Sequence, residues 1–508
     1  MKLSIFFLLL FPTCHCARAH DYFAIKVVDD QTSRGVPLVE LETVNNIRYM
    51  TDSNGLVAFD EPGLMDQTVF FHVRSHGYEF PKDGFGFRGK ALHVTKGGSA
   101  ELKIKRLNIA ERLYRVTGQG IYRDSVLVGE KTPLSQPTLN GLVMGQDSVM
   151  ATPYRGKIYW FWGDTNRVSY PLGQYHTSGA TSKLPADGGL DPSAGIDLEY
   201  FVDDKGFSKR MCPFGGQEPI WIDGLLTAHD DSGHKRLVSH YKRMKSLGEM
   251  LEHGLAIFND EEEVFQKDVV FDRQQVWQCP REHPVRIKET GTEYFVFPGP
   301  YANVRVKAKL ASLREPNKYD AFTCLKPGTR YVKKSAEVER DGGGKVVWGW
   351  KTNTDPITSE QERELIQAGK LDENEAYYQL VDRATGKRVR MHASSIYWND
   401  FRQKWIMIGE EVGGMSFMGE IWFAEAPELV GPWRDAVKIV THERYSFYNP
   451  TQHPFFDQEG GRYVYFEATY THTFSGNPEQ TPRYDYNQIM YRLDLADPRL
   501  GNAGASTR

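Results

Sequence analysis

The chain has 508 residues, with 62 Lys and Arg against 66 Asp and Glu and a formal net charge of −4. So near-neutral a composition lacks the basic face that nucleic-acid binding calls for, and no stretch beyond residue 19 is long and apolar enough for a transmembrane helix. Aromatic residues make up 13% of the sequence, and 47 Gly and 26 Pro are spread along it, which favours many short strands joined by polar loops.

Residues 1–19 read as a secretory signal peptide. Lys2 gives the positive start, Ile5 to Phe11 a short apolar run, and Ala17-Arg18-Ala19 the small-x-small cleavage pattern. The mature chain is then expected to begin at His20, without a membrane anchor, and to be secreted or periplasmic. Cys14 and Cys16 leave with the signal. The wide spacing and odd count of Cys212, Cys279 and Cys324 predict three unpaired, mostly buried thiols.

Residues 20–107 behave as a separate β unit. Phe23, Ile25 and Val27 alternate with polar neighbours, Gly35-Val36-Pro37 turns into Leu38, Val39 and Leu41, and Thr51-Asp52-Ser53-Asn54-Gly55 leads into Leu56 to Phe59. This order resembles the carboxypeptidase-regulatory-like β-sandwich, which implies an accessory domain, here expected as a structural spacer.

Over residues 111–498 a strand–turn–strand unit recurs. Five apolar strands end in polar or reactive residues: Ile158–Trp162, Leu237–Tyr241, Tyr294–Phe297, Trp405–Ile408 and Tyr463–Phe466. A following strand is expected at Leu255–Phe258, at Leu310-Ala311-Ser312 and at Ile421–Ala424. Loose periodicity of this kind predicts an all-β, five-bladed β-propeller preceded by the small β-sandwich, with six or seven blades left open. Thr358 to Leu371 carries a helix signal, with Ser359 and Glu362 at capping-box spacing. The last strand, Ile489–Leu493, is expected to close the ring against the segment Tyr114–Val128, and residues 499–508 to form a flexible tail.

The strongest chemical signal is Gly145-Gln146-Asp147-Ser148-Val149, followed by Tyr159-Trp160-Phe161-Trp162-Gly163-Asp164-Thr165. A hairpin at Arg155-Gly156 brings the start of one strand beside the end of the next, so Asp147 and Asp164 face one cavity. Cleaving a glycosidic bond needs such a carboxyl pair, one protonating the leaving oxygen and the other acting as nucleophile or water-activating base. The alternative for Asp164-Thr165 is an Asx turn closing the hairpin.

The run Trp160-Phe161-Trp162-Gly163-Asp164-Thr165 is similar to the first blade of the bacterial five-bladed propellers typified by endo-D-arabinanases. The segments Ala426–Trp433 and Asn449–Pro454 also look like blade motifs of these and related furanosidase propellers. The resemblance implies catalytic roles for Asp147 and Asp164. The Phe161-Trp162 pair and the enlarged middle blades depart from the pattern, so it does not fix the sugar.

Other residues stand as candidate substrate contacts: Trp162, Arg167, His240, Tyr241, Arg243, Glu252, His253, Glu411, His453 and Glu467. Of Glu410 and Glu411 only one can line a central pocket, because neighbours on a strand point to opposite faces. Tyr241, His253 and Arg243 would suit a polysaccharide lyase, in which a Tyr or His removes a proton and a cation stabilises the enolate. A non-catalytic carbohydrate-binding propeller would rely on Trp160, Trp162 and Trp433. No metal or other cofactor is expected, since no metal-ligand spacing is present. A poly- or oligosaccharide is the expected partner, and oligomeric state is unread.

Overall fold

The computed structural model describes residues 21–273, 276–278 and 280–501; the signal peptide, His20, Cys279 and most of the expected tail lie outside these residues. Residues 21–106 form two four-stranded sheets. One runs Leu56–Phe59, Phe23–Asp29, Ser99–Arg106 and Tyr78–Glu79, the other Arg48–Met50, Glu40–Thr43, Thr68–Arg74 and Gly89–His93. Ile25, Val27, Leu41, Phe71 and Val73 alternate inward and fill the space between them.

Six further sheets follow: a small three-stranded one and, in chain order, five blades, each built on a four-stranded antiparallel meander or its equivalent. Blade 1 comprises Met150–Tyr154, Lys157–Trp162, Ser178–Lys183 and Glu199–Tyr200, and blade 2 Ile220–His229, Lys235–Ser246, Glu249–Asn259 and Val264–Val270. Blade 3 comprises Val285–Glu289, Thr292–Pro298, Ala302–Lys307 and Asp320–Thr323, with Gly349–Thr352 added outside. Blade 4 comprises Met391–Asn399, Lys404–Glu411, Glu420–Ala426 and Asp435–Thr441, edged by Val381–Asp382. Blade 5 takes Ser446–Gln452, Tyr463–Thr471 and Asn487–Asp494 from the end of the chain and Glu111–Arg115 from the start of the propeller. All five recurring apolar strands of the sequence are the second strands of these blades.

The packing fixes the number of blades at five. Strand alternation sends Ile158, Trp160 and Trp162 toward Tyr465 and Met490 of blade 5, and Phe161 toward Leu237, Tyr241 and Phe265 of blade 2. Separate cores fill the gaps between blades 2 and 3, 3 and 4, and 4 and 5. The ring is therefore closed, and the fold is a five-bladed β-propeller preceded by a small β-sandwich.

Three expectations change. Leu310-Ala311-Ser312 belongs to a short helix, Leu310–Leu313, because burying Leu310 and Leu313 on one side suits a helical turn. The inserted helix spans Ser359–Gln367, but its capping box uses Thr358 and Gln361; Glu362 turns inward and accepts the backbone N–H groups of Tyr377 and Tyr378. The closing strand is Glu111–Arg115, and Arg123–Leu127 beyond it is helical. Cys212 and Cys324 are buried free thiols. Among the described residues no helix is long and apolar enough to cross a membrane.

Leu113 is fully buried at the seam between blades 5 and 1. Leu113→Ala is expected to lower unfolding free energy by about 2–5 kcal/mol in urea titrations, whereas Val44→Ala, on an exposed turn of the sandwich, should leave the midpoint unchanged.

Candidate active site

Asp147 sits between Val143–Gln146 and the first strand of blade 1, and Asp164 immediately after its second strand. The hairpin register Met150↔Phe161 and Tyr154↔Lys157, turned by Arg155 and Gly156 in left-handed conformations, brings the two aspartates together. The Gly163 N–H donates to the Asp147 backbone carbonyl at 2.8 Å. A Cβ on Gly163 would stand 2.2 Å from Asp147 Oδ1, so only glycine leaves room for that carboxyl group.

Both carboxyl groups are half-buried and reachable from solvent. Asp147 Oδ2 accepts the Tyr486 hydroxyl at 2.6 Å, and the carboxyl also accepts the backbone N–H of Asp164. Burial and then the neighbouring charge of Asp164 nevertheless push it up to about 7. Asp164 Oδ1 accepts the Trp221 indole N–H at 2.7 Å, and burial pushes this carboxyl up to about 6. Ser148, Asn449 and Tyr486 around the pair hold φ of 53°, 50° and 62°, left-handed backbone in non-glycine residues. Such local strain clusters at functional sites.

The pair opens onto a funnel to which every blade contributes through its first strand or the residues just before it. Blade 2 supplies Asp223, held by Lys242 at 2.9 Å; Lys242 and Arg281 outweigh burial and keep its carboxyl below the usual range. Blade 3 supplies Arg281 and Glu282, whose carboxyl is pushed up to about 7 by burial. Blade 4 supplies His392, and from its second strand Glu410, which is fully buried and pushed well up by burial and by Glu282. Blade 5 supplies Tyr448, whose hydroxyl is pushed up by burial and then by Asp147. Asn449 Nδ2 donates to Ser148 Oγ at 2.8 Å, tying blade 5 to the residue beside Asp147. The Ala151 N–H donates to His283 Nε2 at 2.7 Å, joining blade 1 to the segment that leads into blade 3.

The remaining predicted contacts lie elsewhere. Trp162 is 1% exposed in the core between blades 5 and 1, as are its neighbour Trp160 and, between blades 3 and 4, Trp433, so none offers a sugar a stacking face. Arg167 lies over the Phe207 ring at 4.4 Å, in a small extra sheet formed by Val143–Gln146, Thr165–Arg167 and Tyr170–Gln174. Alternation splits the blade 2 constellation across two faces. Tyr241 donates to Glu252 at 2.7 Å on one face, with Arg243 beside it, and Lys267 and Tyr241 outweigh burial to hold Glu252 low. On the other face His240 meets Tyr319 at 2.9 Å and His253 meets the Asp272 carbonyl at 2.8 Å. Tyr241, Arg243 and His253 therefore do not converge on one substrate.

Glu411 turns away from the funnel, accepting the Trp422 indole N–H at 3.1 Å, and Glu410 takes the inward position. His453 and Glu467 form a fully buried pair at 2.8 Å inside blade 5. Sequence reasoning missed Asp223, Arg281, Glu282, His392, Tyr448 and the contact of Tyr486 with Asp147. The signal was a polar residue at the opening of each blade's first strand, which shows only once the strands are placed. Among the described residues no group of three or more His, Cys, Asp or Glu is arranged to hold a metal ion.

No protein-family model matches the chain, and no curated protein is similar to it in sequence. Solved structures similar to it in fold include an exo-β-1,3-galactanase from Phanerochaete chrysosporium, at 9% identity and a TM-score of 0.36, covering 76% of this chain and 65% of that one. An exo-1,5-α-L-arabinanase from a bovine ruminal metagenomic library aligns at 10% identity and a TM-score of 0.33, over 70% of this chain and 94% of the other. An α-L-arabinanase variant from Cellvibrio cellulosa gives 9% and 0.34, over 69% and 92%. Likenesses this distant carry nothing about activity.

A carboxyl group raised from its usual 3.8 to about 7 binds a proton in the folded state that the unfolded chain releases, so its contribution to stability falls as pH rises through that window. Asp147→Asn removes this term. Its melting temperature relative to the parent protein should rise between pH 4 and 8; a constant difference would place Asp147 in a water-like environment.

Proposed function

We propose that the chain is a glycoside hydrolase acting on a poly- or oligosaccharide, with Asp147 and Asp164 as its carboxyl pair. The observation that carries this reading is the pairing of two desolvated, solvent-reached carboxyl groups whose neighbours separate them, Asp147 up to about 7 and Asp164 up to about 6. Burial raises both carboxyl groups and the charge of Asp164 adds to the rise at Asp147, so the pair shares one proton as it titrates. Asp147 then serves as the acid that protonates the leaving oxygen, and Asp164, kept ionised by the Trp221 N–H, as the nucleophile or water-activating base. Tyr486 is a positioning residue that holds the Asp147 carboxyl in place. The expected signal peptide fits action outside the cytoplasm.

Asp147→Asn and Asp164→Asn should each lower turnover by about 10²–10⁴-fold on whichever member of a broad glycan panel the parent protein cleaves, with the fold and sugar binding retained. New reducing ends without the absorbance of an unsaturated uronate would mark hydrolysis. Elimination products, or a panel left entirely intact, would sink the reading.

Tyr486→Phe removes a hydrogen bond that lowers the Asp147 pKa. The alkaline limb of the pH–rate profile should therefore move to higher pH. A slower enzyme with an unmoved limb would make Tyr486 purely structural.

A further inference from the structure

Across the funnel from the carboxyl pair lies a polar group that the proposed hydrolysis leaves unused. Arg281 keeps 37% of its side chain exposed, and its guanidinium comes no closer than 3.8 Å to the Glu282 carboxyl, without a side-chain hydrogen bond among the described residues. Beside it Glu410 is fully buried, and neither of its oxygens has a hydrogen-bond partner. The Asn449 N–H points toward that carboxyl but falls short of bonding geometry, and His392 Nε2, also unpartnered, stands 3.9 Å away. Buried polar groups are normally satisfied. Three such atoms beside a half-exposed guanidinium form a polar cluster that the proposed hydrolysis does not use.

This group belongs to the same funnel as Asp147 and Asp164. The Tyr448 ring stands 5.8 Å from the His392 ring, and its hydroxyl feels Asp147, Arg281 and Glu410 together. Asn449 bonds Ser148, next to Asp147, with its side chain while its backbone faces Glu410.

We propose that Arg281, with Glu410 and His392, binds the carboxylate of a uronic-acid unit in the glycan. A guanidinium offers parallel N–H donors that match a carboxylate in two-point contact. Lys242 and Asp223 neutralise each other at 2.9 Å. Glu282 and Glu410 are both pushed toward the neutral acid, so neither cancels the charge on Arg281. That the bound glycan is also cleaved rests on the glycosidase reading; the binding itself does not.

The test measures binding of the full chain carrying Asp164→Asn, which suppresses turnover, to an array of uronic-acid oligosaccharides and their carboxyl-reduced counterparts, with sulfated neutral oligosaccharides as a further arm. At least one uronic oligosaccharide should bind about tenfold or more tightly than its reduced counterpart, the scale of a charged hydrogen-bonded contact. Arg281→Gln should erase that preference and Arg281→Lys retain part of it, with unchanged melting in both. Equal binding of acid and reduced forms, no uronate binding, a preference for sulfate, or a preference that survives Arg281→Gln would each overturn the proposal. Uronate binding through Arg281 in a parent protein that cleaves nothing would remove the hydrolase and leave this site standing. Cleavage of neutral glycans indifferent to Arg281→Gln would do the reverse.

Discussion

The pairing of Glu111–Arg115 with Asn487–Asp494 joins the first strand of the propeller to its last, and the other four blades depend on it. An open ring would leave the edge of blade 5 unpaired and the aromatic core around Trp160 facing water. The sandwich reinforces this seam. Arg34 donates to the Leu113 carbonyl at 3.1 Å, the Arg115 N–H donates to Ser53 Oγ at 3.2 Å, and the buried Arg112 reaches Ser75 Oγ at 2.5 Å. Leu38 and Met50 of the sandwich enter the core between blades 4 and 5. The N-terminal domain is thus a clasp on the ring, attached through both apolar and polar contacts.

The seam also sets the position of the carboxyl pair. Tyr486 directly precedes the strand Asn487–Asp494 and holds Asp147; Gln488, inside that strand, donates to the Gln146 carbonyl at 3.3 Å and to Thr469 Oγ1 at 2.8 Å. The Thr469 hydroxyl in turn accepts the Ser148 N–H at 3.1 Å. Residues 146 to 148 are therefore held from blade 5, although they belong to blade 1. A loosened seam would disturb Asp147 before it unfolded a blade.

Much of this was legible in the sequence because strands obey local rules. The apolar alternation of Ile158 to Trp162 and of Trp405 to Ile408 marked second strands, and the Arg155-Gly156 turn placed Asp147 beside Asp164. What failed were inferences that needed the third dimension. Trp162 looked like a sugar platform because aromatic residues bind sugars, but its alternation phase sends it into the core between blades. Glu410 and Glu411 are equivalent in one dimension, and only the register with Ile421 and the approach of Arg281 decide which faces inward. The Tyr241, Arg243 and His253 cluster dissolved for the same reason, since adjacent strand positions point apart. Arg281 and Glu282 gave no local sign, for their partners lie on three other blades.

The electrostatics of the funnel follow from crowding acids in a place with little water. Asp147, Asp164, Glu282 and Glu410 cannot all ionise together when burial already disfavours each charge. Asp223 escapes because Lys242 sits directly on it. Protons must then be shared among the others, and which group keeps one depends on which donors it faces. Asp164 meets an indole N–H, Asp147 a phenol and a backbone N–H, and Glu410 nothing that reaches it. Burial deepens from blade 1 to blade 4: Asp147 and Asp164 are half-buried, Glu282 is buried, and Glu410, fully buried, is pushed well up. A ligand entering such a funnel meets proton-exchanging groups at one wall and a fixed guanidinium at the other, an asymmetry that favours one orientation over its reverse.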